Sequence, residues 1–196
     1  MESVANAIVY TVGHSTHPVQ DFLDLLKSNG ITAVGDVRSN PYSRYNPQFN
    51  RETLKASVAA AGIAYVFLGR ELGARSEDPA CYVDGKVQYD RLARTGLFQQ
   101  GLDRVAAGAA RYKLALMCAE KEPLGCHRTI LVAPALEARG FTIHHILADG
   151  SIETHADTMT RLLRQLDLPA CDMFRTPDEI LADAYRLYGA RIAYQK

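Results

Sequence analysis

Between Ile8 and Leu147 short apolar runs alternate with segments of helical period, and few folds accommodate that order. Ile8-Val9-Tyr10-Thr11-Val12 has the length and β-branched content of a buried strand, and Gly13-His14-Ser15-Thr16 forms the turn after it. Pro18 suits a first helical position. Val19, Phe22, Leu23 and Leu26 then share one face until Gly30 stops the helix. The same reasoning predicts strands over Ile31–Val37, Ile63–Leu68, Leu114–Cys118 and Phe141–Leu147. Helices are expected from about Asn50 to Gly62, over Tyr89–Ala109 with a break near Gly96, and over Arg128–Ala138. Strand, helix, strand repeated in this way specifies a three-layer α/β fold, a mostly parallel sheet of about five strands with helices on both faces.

Two stretches depart from the alternation. Gly69 to Val87 has no clear period and contains Gly69, Gly73, Pro79 and Gly85, so it is expected as a long loop of functional or mobile character. Beyond Asp149 only helical periods remain. Met159, Leu162, Leu163 and Leu166 form one stripe, and Thr176-Pro177-Asp178-Glu179 is a capping box with proline at the first helical position. The helix it opens places Ile180, Ala184, Leu187 and Arg191 on a shared face. Residues 1–149 are therefore expected as an α/β domain. Residues 150–196 are expected as a helical extension that packs on it or carries a contact in a homodimer.

Composition narrows the function classes. A chain of 196 residues with 47% hydrophobic content can bury a sizeable core. Its 22 Lys+Arg balance 22 Asp+Glu, which excludes a protein that holds nucleic acid by bulk charge and leaves only a local patch. Met1 to Ile8 has neither a basic start nor a long apolar run, so no leader is expected. No apolar stretch approaches the length of a membrane span. Four Cys in a chain of this length do not make a disulfide scaffold, and a reducing, cytoplasmic setting fits them.

In a parallel sheet covered on both faces the ligand sits at the carboxyl ends of the strands, so the residues just after each strand carry the information. After the first come His14 and Ser15, able to bind an anion or simply to shape the turn. After the second come Asp36 and Arg38, and the stretch from Arg38 to Arg51 holds three Arg, two Tyr, one Phe and no acid. Such a loop suits an anionic, planar ligand, or is a solvated loop in which Asp36 and Arg38 pair with each other.

The densest cluster follows the fourth strand: Cys118-Ala119-Glu120-Lys121-Glu122-Pro123-Leu124-Gly125-Cys126-His127-Arg128. Three readings of it stay open. Glu120 with Asp36 does acid–base work while Arg38 and Arg128 hold an anion. Alternatively Cys126, beside His127 and Arg128, is a nucleophile or sulfur carrier. The spacing is not that of a rhodanese or Cys-phosphatase loop, since Arg128 stands ten positions after Cys118 and two after Cys126. In the third reading Cys118, Cys126 and His127 bind zinc with a remote ligand such as His14, although no CxxC pair exists. Set against all three, Cys118 is a small core residue and Glu120–Arg128 a loop-bracing ion pair. His144 and His145 alternate across the last strand, so at most one faces a site.

Several of these segments together carry a family resemblance. Thr11-Val12-Gly13-His14-Ser15, Asp36-Val37-Arg38 with Pro41, Ser43 and Arg44, and Gln48-Phe49-Asn50 come first. Glu71-Leu72-Gly73 with Arg75, Cys118-Ala119-Glu120 and Cys126-His127-Arg128 complete the set. From about Ile8 to Leu147 the chain resembles the DUF488 family, a domain of unknown function. The resemblance implies a compact α/β domain with these motifs at one face, and no particular reaction. Its motif residues on this chain are His14, Ser15, Asp36, Arg38, Ser43, Arg44, Glu120, Cys126, His127 and Arg128. Two departures stand out. Ala74 occupies a position that is usually Gly, and Pro134 falls inside a helix, where it should kink or shorten it.

The expectation is an enzyme, a hydrolase or transferase, acting on an anionic, nucleotide-like or phosphorylated substrate. Asp36, Glu120, Cys126 and His127 are the catalytic candidates, and His14, Ser15, Arg38, Ser43, Arg44 and Arg128 the binding ones. No resident metal or cofactor is assigned. The alternatives are a non-catalytic nucleotide or nucleic-acid binding module, and thiol or metal chemistry at Cys118 and Cys126.

Overall fold

A computed structural model describes residues 7–196; the expectation of a leaderless N-terminus rests largely on residues 1–6, which lie outside them. β1 (Ile8–Gly13), α1 (Val19–Ser28), β2 (Ala33–Asp36), α2 (Arg51–Ala60) and β3 (Ala64–Phe67) form the first two crossovers. There follow α3 (Gly69–Leu72), a hairpin of β4 (Tyr82–Val83) and β5 (Lys86–Val87), α4 (Tyr89–Ala93), α5 (Gly96–Ala109) and β6 (Leu114–Cys118). A π-helical turn over Arg128–Val132 runs into α6 (Ala133–Glu137), then β7 (Thr142–Ile146), β8 (Ile152–Thr154), α7 (His155–Gln165) and α8 (Pro177–Ile192).

The main sheet has six strands in the order β3-β2-β6-β1-β7-β8, parallel throughout except for β8, which runs antiparallel to β7. β2 and β6 are buried along their whole length, the reason both read as nearly unbroken apolar runs. One face packs Phe22, Leu26, Leu54 and Val58 of α1 and α2 against Val34, Ala115 and Met117. The opposite face packs Leu102, Val105 and Leu136 of α5 and α6 against Leu114 and Leu116. The α/β architecture expected from the alternation is the one observed.

This strand order has a consequence for ligand placement. From β1 the chain crosses over β6 to reach β2, whereas from β6 it crosses over β1 to reach β7. The two adjacent central strands therefore send their connections in opposite directions, on opposite faces. Their carboxyl ends open a crevice between the diverging loops, the usual ligand position in open α/β sheets.

Several local expectations are corrected. The segment beyond Asp149 opens with a strand, β8, held by the edge of β7. The supposed long loop Gly69–Val87 contains α3, a 3-10 turn at Pro79–Cys81 and the β4–β5 hairpin. Pro18 is the N-cap of α1, not its first residue, and no Ser or Thr side chain caps that helix. Leu187 and Arg191 of α8 are exposed, and its inward face is Ile180, Ala184 and Gly189. The capping box at Thr176 and Glu179 forms as read. Pro134 has no N–H to close an α-turn, and the helix before it widens into the π-helical turn. Ala74 adopts an ordinary negative φ, so the usual Gly is not needed there for a left-handed backbone.

Beyond the β7–β8 pairing, the C-terminal segment is tied to the rest at several further places. Arg161 of α7 bonds both Glu153 (2.7 Å) and Glu122 (2.8 Å), α8 packs on the π-helical turn, and Gln195 bridges Lys86. Under it runs a buried polar chain. Thr11 Oγ1 meets His145 Nδ1 at 2.7 Å, His145 Nε2 meets His155 Nδ1 at 2.9 Å, and His155 Nε2 meets the Tyr185 hydroxyl at 2.8 Å. His145 is thus the inward histidine of β7, while His144 remains half-buried.

Candidate functional site

The crevice is built first from backbone. Past the end of β1, His14 N–H donates to the Cys118 carbonyl at 2.9 Å and Ser15 N–H to the Ala119 carbonyl at 3.0 Å. The β1–β6 ladder so continues into the loop that carries Glu120. Gly13 permits this approach, because a Cβ there would lie 1.9 Å from the Glu120 carbonyl oxygen. On the other side a Cβ at Gly69 would lie 1.9 Å from the carbonyl of Arg38. Both glycines let main chain pass directly against the loops that end β6 and β2.

At the end of β2 the side chain of Asp36 is fully buried and saturated. It accepts from Arg38 Nε (2.9 Å), Arg38 Nη2 (2.7 Å), the Arg38 backbone N–H (3.1 Å) and the Tyr65 hydroxyl (2.8 Å). Burial, followed by the Asp36 charge, pushes the Tyr65 hydroxyl well above the ordinary tyrosine range, so it stays a donor. Arg38 also donates through Nη2 to the Phe49 carbonyl at 2.9 Å, and through Nη1 to His14 Nε2 at 3.0 Å. One of its five N–H groups is left over.

His14 is fixed in one tautomer. Its Nδ1 lies 2.8 Å from the Ser15 carbonyl, which can only accept, so Nδ1 carries the proton and Nε2 accepts from Arg38. Burial and the Arg38 charge hold its pKa down at about 4. His14 is a neutral prop, stacked on Phe49 at 4.1 Å between ring centroids.

The loop after β6 brings the thiols together. The Sγ atoms of Cys118 and Cys126 each lie 3.8 Å from His127 Nδ1, and the three atoms all lie within 4.8 Å of one another. His127 Nε2 lies 3.2 Å from the Val37 carbonyl, an acceptor, so that nitrogen carries the ring proton when the imidazole is neutral. Cys126 Sγ stands 3.0 Å from Glu120 Oε2. Burial works to raise the Cys126 thiol, but the hydrogen bond with Cys118, the Arg128 charge and His127 together hold it well below the ordinary range. Cys118 is raised in turn, by its hydrogen bond to Cys126 and then by burial. Burial and the neighbouring Cys126 raise the Glu120 carboxyl.

Arg128 serves the loop itself. It is fully buried and donates through Nη1 to the Glu120 carbonyl (2.7 Å) and through Nη2 to that of Lys121 (3.4 Å), while its Nε has no partner.

A cavity of about 250 Å³ opens at these strand ends. Its walls include Arg38, Cys118, Glu120 and His127 from the expected site. Tyr89, Arg75 and Tyr194 complete it, the Arg75 guanidinium lying 4.4 Å over the Tyr194 ring. Cys126 stands behind this wall against Glu120, and Asp36, His14 and Arg128 support it without lining it. Ser43 and Arg44 are elsewhere. Ser43 Oγ closes a turn with Tyr45 and Asn46, and Arg44 stacks on the exposed Tyr45. Ser15 contributes backbone, in a left-handed conformation at φ 49°. Tyr89 and Tyr194 carried no signal in the sequence, because nothing local distinguishes them from other half-buried tyrosines.

No helix among the described residues is long and apolar enough to cross a membrane. No curated protein and no solved structure matches the chain. The family model described as Domain of unknown function DUF488 matches residues 18–134, which takes in Asp36, Arg38 and the whole Cys118–Arg128 cluster and stops short of His14 and Ser15. That match covers well over half of the sequence, and the chain belongs to the DUF488 family.

Proposed function

We propose that the chain is an enzyme, a hydrolase or transferase, acting on a small anionic substrate of nucleotide-like or phosphorylated character in a reducing, cytoplasmic setting. The observation that carries this reading is the shared cavity. Glu120, Cys118 and His127 face the same 250 Å³ as Arg38, Arg75 and the two tyrosines. A volume at the small end of ligand pockets favours a substrate no larger than a mononucleotide.

Glu120 is the group that gives or takes the proton, since its carboxylate reaches the cavity and is braced through its own main chain. Arg75, stacked on Tyr194, keeps its fork of donors for a phosphate or carboxylate, and Tyr89 and Tyr194 offer surfaces for a planar group. Arg38 adds its one spare N–H, oriented by Asp36, His14 and the Phe49 carbonyl. Asp36 and Arg128 act through these neighbours and are positioning residues.

The test is turnover of nucleosides, nucleoside monophosphates and sugar phosphates by wild type and by Glu120→Gln. Wild type should convert at least one compound, and Glu120→Gln should bind that compound with little change while losing about 100-fold or more in turnover. Equal turnover by both proteins would remove Glu120 from the chemistry.

A second reading draws on a different observation. Tyr42 and Tyr45 are 58% and 78% exposed on the β2–α2 loop, with Arg44 stacked on Tyr45. A nucleotide or nucleic-acid binding module would use that surface. Its affinity would fall steeply with salt, and Glu120→Gln would leave it unchanged.

A further inference from the structure

The geometry points to Cys118, Cys126 and His127 as a three-ligand site for a thiophilic divalent cation, zinc above others, with the remaining position open to the cavity beside Glu120. This deepens the enzymatic reading above and rests on the same cavity. A tetrahedral zinc ion with sulfur at about 2.3 Å and nitrogen at about 2.0–2.1 Å needs sulfur–nitrogen edges of about 3.6 Å. Both sulfur–nitrogen edges here are 3.8 Å, and the two sulfur atoms lie within 4.8 Å of each other, so the donor set is close to the size such an ion needs.

The imidazole is prepared for the role. With Nε2 donating to the Val37 carbonyl, Nδ1 keeps its lone pair free, and each of the two sulfur atoms lies 3.8 Å from it. A backbone carbonyl holding the far nitrogen is one of the usual supports for a metal-bound histidine. All three ligands are buried, at 3%, 1% and 7% exposure, which favours a soft ion over a hydrated hard one.

Charge balances as well. Two thiolates neutralise a divalent cation, and the Glu120 carboxylate stands against the Cys126 sulfur, at 3.0 Å. Two thiolates plus one imidazole is a donor set of catalytic zinc sites, which keep one position open. His14, the fourth ligand considered from sequence, is unavailable because both its nitrogens are engaged. The chemistry such an ion supplies is Lewis-acid activation of water or of a substrate oxygen, with Glu120 beside it to move a proton.

The experiment uses the full chain, reduced and stripped of metal, titrated with Zn(II) and separately with Co(II). Wild type should bind one equivalent of either, melt higher with zinc, and show thiolate-to-cobalt charge-transfer absorption with tetrahedral visible bands. Cys118→Ser and Cys126→Ser should each weaken binding by about 100-fold or more and reduce the charge-transfer intensity. Glu120→Gln should keep the full equivalent, and so should Cys171→Ser, whose thiol is exposed and not part of the cluster. Should a cysteine variant fail to fold, the zinc-dependent melting shift and the cobalt spectrum of wild type still decide.

Sub-stoichiometric binding by folded wild type, or a cobalt spectrum without thiolate bands, overturns the metal site. Glu120-dependent turnover by a metal-free protein overturns it too, while leaving the enzymatic reading standing. A full equivalent of zinc in a protein that converts none of the anionic compounds upholds the site and removes the enzymatic reading instead.

Discussion

Arg128 Nη1 donates to the carbonyl oxygen of Glu120 at 2.7 Å, so a fully buried guanidinium holds the main chain of a residue that lines the cavity. Arg128→Met removes this bond and the weaker one to Lys121, and leaves two inward carbonyls without donors. It should destabilise the protein by about 2–4 kcal/mol in urea unfolding. Arg128→Lys keeps the charge but cannot span both carbonyls, so it should recover only part of that loss. Wild-type stability in Arg128→Met would mean that the loop is held by other contacts.

Asp36 and Arg38 make a buried pair with every carboxylate oxygen engaged. Asp36→Asn leaves the guanidinium without its counter-charge, and breaking such a pair costs about 3–5 kcal/mol. Tyr65→Phe, which removes only one donor to Asp36, should cost about 1 kcal/mol. Denaturant midpoints of the two variants give the comparison, and equal losses would contradict a paired Asp36.

Gly13→Ala drives a methyl group into the Glu120 carbonyl. The loop from Ala119 to Lys121 must shift to admit it, while the strands beneath are held by their own ladders. Turnover should fall at least 10-fold even where far-ultraviolet circular dichroism is unchanged. Full activity in a folded Gly13→Ala would show that the carboxylate does not need its observed position.

Acid should unfold the protein through its buried histidines. Burial alone holds His155 at about 4; burial and neighbouring charges hold His14 at about 4 and His145 at about 2, against the ordinary 6.5. Below 6.5 the unfolded chain takes up protons that the folded one refuses. Stability is therefore fully present above about pH 6.5 and is lost as pH falls from there toward 4. Each histidine contributes a slope of up to about 1.4 kcal/mol per pH unit. His155→Gln should flatten the slope of urea-unfolding free energy between pH 6 and 4.5 on the order of that amount. An unchanged slope would place the protons elsewhere.

How much of this was legible in the sequence differs by kind of feature. The central strands were, because burial on both faces writes itself as an apolar run, as in Leu114–Cys118. The capping box at Thr176 was too, since its chemistry is local. β8 was not: Ile152-Glu153-Thr154 is a strand only because the edge of β7 is there to pair with it. The Cys118–Arg128 cluster was found by composition and motif, but the duties of its charges were not. An arginine reads the same whether it faces a ligand or, like Arg128, two carbonyls of its own loop. Tyr89 and Tyr194 reach the cavity from distant segments by tertiary packing alone.

Glu120 as the proton-transferring group of one substrate cavity is the claim on which the enzymatic reading depends. Its most direct test is equilibrium binding followed by mass spectrometry of a mixture of nucleoside monophosphates and sugar phosphates, with wild type and Glu120→Gln side by side. Glu120→Gln should retain one class of anion unchanged, and wild type should convert that same compound to product. If neither protein retains any anion, or both convert the compound at the same rate, the account is wrong.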